Sequence, residues 1–326
     1  MNPANPLNLP ERLPIARYRL SFALADELIL PPYAGSTLRG AFGHALRRAT
    51  CMTRQKECAG CPLIDTCPYS RIFATPPNDL LNKSQQQNPP QPYIIEAPAQ
   101  EPRFHSAGSR YQFDLVLIGP ARHQLALIAY AFNQAFEHGI GTTRARGTLA
   151  DIAHETPSGY QSIYQKNQIL PHSPEITLPQ SYPQNIGLHF HTPLRLQQQG
   201  SILGIGRLNA QALLGHLQRR ISTLATLYWQ SIDTDYAALA AAAARVQDRR
   251  NLQWQDWIRY SSRQQRKMTL GGVIGTWCLY ELPPPFSQLL YLGQWLHIGK
   301  ETVFGHGRYT LKQVINLKKS AYSLAH

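Results

Sequence analysis

Two short runs, Gly43-His44-Ala45-Leu46-Arg47-Arg48 and Gly215-His216-Leu217-Gln218-Arg219-Arg220, share a Gly-His-x-x-Arg-Arg pattern inside helix-like stretches that follow strand-like ones. A second pair recurs downstream in the same order. His138-Gly139-Ile140-Gly141 leads to Arg146-Gly147-Thr148-Leu149, and His297-Ile298-Gly299 leads to Gly307-Arg308-Tyr309-Thr310-Leu311. Ordered recurrence at similar separation constrains the chain more than either match alone. It implies one supersecondary unit built twice, and 326 residues suffice for two such domains, each with its own core.

Periodicity gives the unit. In the first copy, Ala16 to Leu24 alternates as a strand, and Leu30-Pro31-Pro32-Tyr33-Ala34-Gly35 turns into a helix that Ser36 or Thr37 can cap and that reaches about Thr50. Strands are expected at Tyr93 to Ala97 and Tyr111 to Ile118, a helix from about Arg122 to Glu137, and a last strand from Gly147 to Ala153. The order is βαββαβ. The second copy repeats it with a strand at Leu188 to His191, a helix from Asn209 to Gln230, strands at Trp257 to Ser261 and Thr269 to Glu281, a helix from Pro285 to His297 and a strand from Gly307. The expected fold class is therefore α+β: tandem ferredoxin-like, RRM-like domains. The boundaries are an N-terminal domain at 1–155 with a Cys-rich insertion at about 51–92, a Pro- and Gln-containing linker at 156–183, and a C-terminal domain at 184–326.

Charge narrows the partner. The net charge of +13 is carried unevenly: residues 1–160 hold 15 basic against 12 acidic residues, and residues 161–326 hold 17 against 7. A basic second domain suits a polyanion, because Lys and Arg displace counterions from phosphate. A polar, Pro-rich start and the lack of a long apolar run predict a cytoplasmic protein with no membrane partner.

The candidate site follows from phase. At 100° per residue, Leu38, Ala41, Phe42, Ala45, Leu46 and Ala49 form one helix face, and His44 falls away from it on a ridge with Gly40 and Arg48, with Arg47 beside it. An exposed surface histidine is the plain alternative to a catalytic one. Tyr33 adds a phenol just before the helix. His216 falls at the boundary of a wider apolar face and reads as structural. Lys300, His306 and Arg308 sit in a Gly-rich connection whose amides can approach phosphate, and Arg144 and Arg146 sit in its counterpart. Arg259, Arg263, Arg266 and Lys267 cluster on a hairpin that suits a nucleic-acid groove, and Arg39 joins the RNA-binding set. Cys51, Cys58, Cys61 and Cys67 form C-x6-C-x2-C-x5-C, which fits a structural Zn²⁺, with an iron–sulfur cluster or free buried thiols as alternatives. A four-thiolate site leaves no open coordination position and so points to no catalytic metal.

The run Pro32-Tyr33-Ala34-Gly35-Ser36-Thr37-Leu38-Arg39-Gly40-Ala41 and the run Leu296-His297-Ile298-Gly299-Lys300 to Phe304-Gly305-His306-Gly307-Arg308-Tyr309 resemble the CRISPR-associated RAMP superfamily. Thr192-Pro193-Leu194-Arg195-Leu196, Met268-Thr269-Leu270-Gly271-Gly272 and the four-cysteine insertion resemble its repeat-processing endoribonuclease branch. The resemblance implies a metal-independent endoribonuclease that binds CRISPR repeat RNA and cuts precursor transcripts into guide RNAs. In that chemistry the 2′-OH attacks the adjacent phosphate and leaves a 2′,3′-cyclic phosphate. His44 matches the place of the family's first-helix histidine, acting as base or acid, and Tyr33 the place of a commonly used tyrosine. The family often adds a lysine; none occurs beside this helix before Lys56, so Arg47 or Arg48 is expected in that electrostatic role. The resemblance equally implies, as the alternative, a catalytically silent RNA-binding subunit of a CRISPR effector complex, with other effector subunits as partners.

Overall fold

The alternation of Tyr18, Leu20, Phe22 and Leu24 becomes the central strand of the first sheet, with all four side chains buried on one face. The structure, a computed structural model, describes residues 5–81, 89–99, 103–261 and 266–314. Its N-terminal unit comprises β1 (Ile15–Leu24), α1 (Gly35–Thr50), a short α2 (Pro68–Ile72), β2 (Tyr93–Glu96), β3 (Arg110–Ile118), α3 (Leu125–His138), β4 (Gly147–Thr156) and β5 (Gly159–Ser162). The antiparallel sheet runs β2-β3-β1-β4-β5. With β5 as an appended edge, this is the ferredoxin-like order for a βαββαβ chain, and α1 and α3 cover the face that Phe22 and Tyr18 line.

The C-terminal unit comprises β6 (Ile186–Leu194), α4 (Ala210–Tyr228), α5 (Tyr236–Ala243), β7 (Gln247–Gln255), a hairpin of β8 (Ile258–Ser261) and β9 (Arg266–Thr269), β10 (Gly272–Tyr280), α6 (Pro284–Leu296) and β11 (Tyr309–Gln313). Its sheet order, β7-β10-β6-β11, repeats the first. Asn209 caps α4 by accepting from the Ala212 amide.

Two details differ from the sequence reading. The second strand of the C-terminal sheet is β7, not the run from Trp257, which instead begins the separate β8–β9 hairpin. β7 is a sheet edge with mostly exposed or half-buried residues, Gln247-Asp248-Arg249-Arg250-Asn251-Leu252-Gln253-Trp254-Gln255, so it shows no apolar alternation to read. The helix α1 begins at Gly35 behind Ala34 with no side-chain cap, so neither Ser36 nor Thr37 serves that role. Its start is set by packing: a Cβ on Gly35 would lie 2.2 Å from the Phe304 carbonyl oxygen, so only glycine lets the helix end dock there.

Residues 156–183 carry short paired strands. Gly159–Ser162 extends the first sheet, and Ile176–Thr177 pairs with Arg12–Leu13. The two units also share a core. Leu13, Ile15, Ile94, Val116 and Ile118, from the N-terminal sheet face opposite the helices, are fully buried in one cluster with Leu213, Leu217, Trp277 and Leu289. At roughly 1.5–3 kcal/mol for each fully buried aliphatic side chain, that face holds the units together strongly. Among the described residues, no helix is long and apolar enough to cross a membrane.

Candidate nucleic-acid interface

His44 stands exposed on α1, while Leu38, Phe42, Ala45 and Leu46 are buried as their phase requires. Gly43, on the buried side, is pressed by the Phe73 ring, which a Cβ would meet at 2.3 Å. That contact fixes the helix rotation and with it the outward aim of His44. Arg48 is exposed one turn on. Arg47 is committed elsewhere: its guanidinium donates to the carbonyls of Gln55 and Lys56, the latter at 2.8 Å, and so pins the Cys-rich insertion to the helix. Tyr33 does not converge with His44. Its backbone takes a φ of +61°, and its ring lies 4.9 Å from Trp257 and 6.1 Å from His306. Nine helical residues separate Gly35 from His44, about 13 Å along the axis. Burial raises the Tyr33 pKa, opposed by a hydrogen bond with Gln255.

The second Gly-rich connection is packed rather than open. The amides of Ile298, Lys300, Phe304, Gly305, His306, Gly307 and Arg308 all donate to protein oxygens. Gly305, at φ +95°, would bring a Cβ to 2.8 Å from the Ile95 carbonyl oxygen. The glycines therefore let the connection wedge between α1 and β2. His306 is buried and stacks on Trp257 at 4.5 Å, whereas Lys300 is exposed. In the first copy Arg144 is exposed, and Arg146 is exposed with an ion pair of 2.9 Å to Asp26. Arg259 lies on β8, and Arg266 and Lys267 on β9. Arg263 lies outside the described residues.

Beneath the wedged connection sits a charge network absent from the sequence reading. Glu96 is wholly buried at the end of β2 and pairs with Arg17 at 2.9 Å, His297 at 2.7 Å and Arg308 at 3.6 Å. Arg17 also binds Glu155 at 2.9 Å and the Gln294 carbonyl. Burial pushes the Glu96 pKa up, but Arg17, then Arg308 and His297, outweigh it and hold the carboxyl well below the usual carboxylate range. His297 bridges two acceptors, the His306 carbonyl at 3.0 Å and Glu96, an arrangement that fully suits only a ring with both protons. Burial pushes its pKa down, with Arg308 and Arg17 adding to that, and Glu96 opposes the shift without reversing it. Arg308, expected on RNA, is thus partly engaged with Glu96 and with Asp114 at 3.8 Å. The only hint of this network in the sequence is a carboxylate closing the apolar run Tyr93-Ile94-Ile95-Glu96.

Between α1, α4 and the Gly-rich connection opens a cleft of about 600 Å³, lined by Arg39, His216, Arg219, Arg220 and Lys300, with Glu301 as the one acid. His216 is half-buried on its wall; burial, then Arg219, push its pKa down to about 4, with Lys300 adding to the effect against a Gln197 backbone hydrogen bond that raises it. The ring is therefore neutral at pH 7. Its position at the edge of the apolar face matches the helical phase.

Cys51, Cys58, Cys61 and Cys67 line one cavity of about 140 Å³. The Cys61 amide donates to the Cys58 carbonyl at 3.1 Å, and Gly60 at φ +75° makes the tight turn. The donor set suits a tetrahedral metal. Among the described residues, however, no three His, Cys, Asp or Glu side chains stand close enough together to hold one as they are placed.

Comparison with known proteins bears on both units. Residues 13–176 match the AF_1859_N family, described as an N-terminal domain, and residues 188–309 match the family of the CRISPR-associated endoribonuclease Cas6. No curated protein matches the chain. Among solved structures, a partial Cas6–RT–Cas1–Cas2 complex aligns with a TM-score of 0.57 at 14% identity over 93% of this chain, which spans only 46% of that one. A Cas6 product complex aligns with a TM-score of 0.55 at 14% identity, covering 91% of this chain and all of that one. Thermus thermophilus Cas6 aligns at 0.51 and 12% identity, covering 93% of this chain and 100% of that one. At these identities the structures show a shared fold, and the assignment rests on sequence: residues 188–309 are similar to the Cas6 family, and the chain belongs to the AF_1859_N family, whose match spans half of it.

Proposed function

We propose that the protein is a metal-independent endoribonuclease that binds CRISPR repeat RNA and cuts precursor transcripts into guide RNAs. The observation that carries this reading is His44, held exposed on α1, the helix that also supplies Arg39 to a basic cleft, in a chain with a Cas6-family domain. The ribose 2′-oxygen attacks the adjacent phosphorus, the P–O5′ bond breaks, and the products are a 2′,3′-cyclic phosphate and a 5′-hydroxyl. His44 carries the proton at one of those two oxygens, as base or acid. Arg48 offsets charge on the phosphorane-like transition state. Arg47, bound to the insertion backbone, positions α1 instead. Tyr33, turned towards Trp257 and His306, packs against the Gly-rich connection.

Incubating the protein with repeat RNA in EDTA tests the reading: a cyclic-phosphate product is expected, and its absence with RNA binding intact would instead favour the silent effector subunit. The neighbouring structures that contain Cas6 with RT, Cas1 and Cas2 make association with further CRISPR proteins part of the same reading. We also propose that Cys51, Cys58, Cys61 and Cys67 hold a structural Zn²⁺. When bound, the ion would cross-link the insertion and supply no step of the cleavage.

A further inference from the structure

Arg220, on α4 and half-buried, differs from Arg17 and Arg122. Arg17 has Glu96 and Glu155, and Arg122 has Glu175 and the Pro174 carbonyl. Arg220 donates from Nε to the Leu296 carbonyl at 2.6 Å, but its Nη2 is enclosed with no partner, and among the described residues no carboxylate forms an ion pair with it. Burial pushes its pKa down to about 10, opposed by the Tyr228 hydroxyl alone. The group remains a cation at neutral pH, and a desolvated cation without a counter-ion is unfavourable unless something else supplies the negative charge. Arg39, across the same cleft, is half-buried: its Nε is enclosed without a hydrogen bond, while its guanidinium lies 4.3 Å from the Phe73 ring and its side chain engages the Tyr93 hydroxyl. Arg219 and Lys300 stand exposed on the cleft, and Glu301 is its one acid.

We propose that this cleft is a subsite for one phosphodiester of the bound RNA, with Arg220 and Arg39 as its ligands and Arg219 and Lys300 at its mouth. The inference rests on the RNA reading above and adds to it a phosphate other than the one that is cut. His44 lies five residues beyond Arg39, about 7.5 Å along α1 and about 140° around it, so the two side chains address different phosphates. Two guanidinium groups lining one cleft suit forked contacts to phosphate oxygens. Neutral His216 beside them can donate to the same group without adding to the repulsion among the cations.

The test compares wild type with Arg220→Gln, which keeps a hydrogen-bond donor on a shorter side chain but removes the charge, and with Arg39→Gln as an independent variant. The probes are single-stranded RNA with a 5′-hydroxyl end, the same RNA with a 5′-phosphate, and inorganic phosphate. Without ligand, Arg220→Gln should melt at the wild-type temperature or above, because it removes an unpaired buried charge. Its affinity for the 5′-hydroxyl RNA should fall about tenfold or more, the worth of one charge-assisted hydrogen bond, and its log–log salt slope should shrink by about 0.7. A variant that melts lower and binds RNA as wild type does would overturn the subsite and leave a structural arginine. Loss of affinity confined to the 5′-phosphorylated RNA, or a response to inorganic phosphate alone, would overturn the internal phosphodiester in favour of a terminal or free phosphate. If wild type binds no RNA at all, the proposed function falls; stabilisation by phosphate in wild type but not in Arg220→Gln would then overturn the RNA assignment too, leaving a plain anion site.

Discussion

Replacing Glu96 with alanine removes the only carboxylate that Arg17, His297 and Arg308 share, and leaves Arg17 with Glu155 alone. Glu96 and His297 are fully buried and Arg17 nearly so, so water cannot take over the lost partner. Breaking a buried ion pair from one side costs about 3–5 kcal/mol, because it strands the opposite charge. At roughly 2–4 °C per kcal/mol, the melting temperature should fall by about 6–20 °C. The variant Arg17→Met with Glu96→Leu, which removes both charges and keeps volume, should recover most of that loss, and a double-mutant cycle in calorimetry measures the coupling. The sign with pH also follows. The folded-state carboxyl titrates below its unfolded value of about 4.3, so the stabilisation is complete above that pH and is lost as pH falls towards the folded value. Glu96→Gln should accordingly flatten the acid limb of the stability profile. A loss under about 1 kcal/mol for Glu96→Ala, or an unchanged acid limb for Glu96→Gln, would refute the view that this network fastens the two units.

His44→Ala should lower the single-turnover cleavage rate by about 10²–10⁴-fold with RNA affinity within about twofold of wild type, read by gel assay and filter binding. Gly35→Ala, which would stabilise a free helix by about 1 kcal/mol, should here destabilise by about 1–3 kcal/mol, because its Cβ must push the Phe304 carbonyl away; thermal melts give the sign. Elemental analysis should find about one zinc per chain in a colourless sample, and Cys58→Ser should lose it and lower the melting temperature. Visible absorbance with bound iron would instead support the cluster.

The elements with a buried face were legible in the sequence, and the surfaces between units were not. Alternation in β1 and the apolar stripe of α1 come from a simple inside and outside, so Tyr18, Phe22, Phe42 and Leu46 lie where their periods put them. The outward aim of His44 came from the same arithmetic. β7 escaped because an edge strand carries no stripe. The cleft escaped because it is assembled from parts far apart in sequence: α1, which ends at Thr50, α4, which begins at Ala210, and the Gly-rich connection after Leu296. No local period reports that Arg39 and Arg220 line one space, nor that Glu96 meets His297 across the junction. The Gly-rich connection was found but its chemistry was misjudged, since glycine spacing that can cradle phosphate serves equally for close backbone packing.

The duplication explains why the two copies of that connection now act differently. In the first copy the Arg144 and Arg146 side chains stay exposed, with Arg146 paired to Asp26. In the second copy the same kind of loop is covered by α1 and β2 of its neighbour, its amides donate to its own carbonyls and to Thr192, Pro193 and Arg195, and His306 is buried. Covering one copy is also what creates the cleft, because α1 and α4 are the corresponding first helices of the two units and the wedged connection holds them either side of a gap. The repeated Gly-His-x-x-Arg-Arg pattern then diverges by exposure: His44 is left on the open ridge of its helix, whereas His216, Arg219 and Arg220 are turned into the gap. An ancestral symmetric helix face is thereby divided into a face suited to proton transfer and a face suited to holding charge.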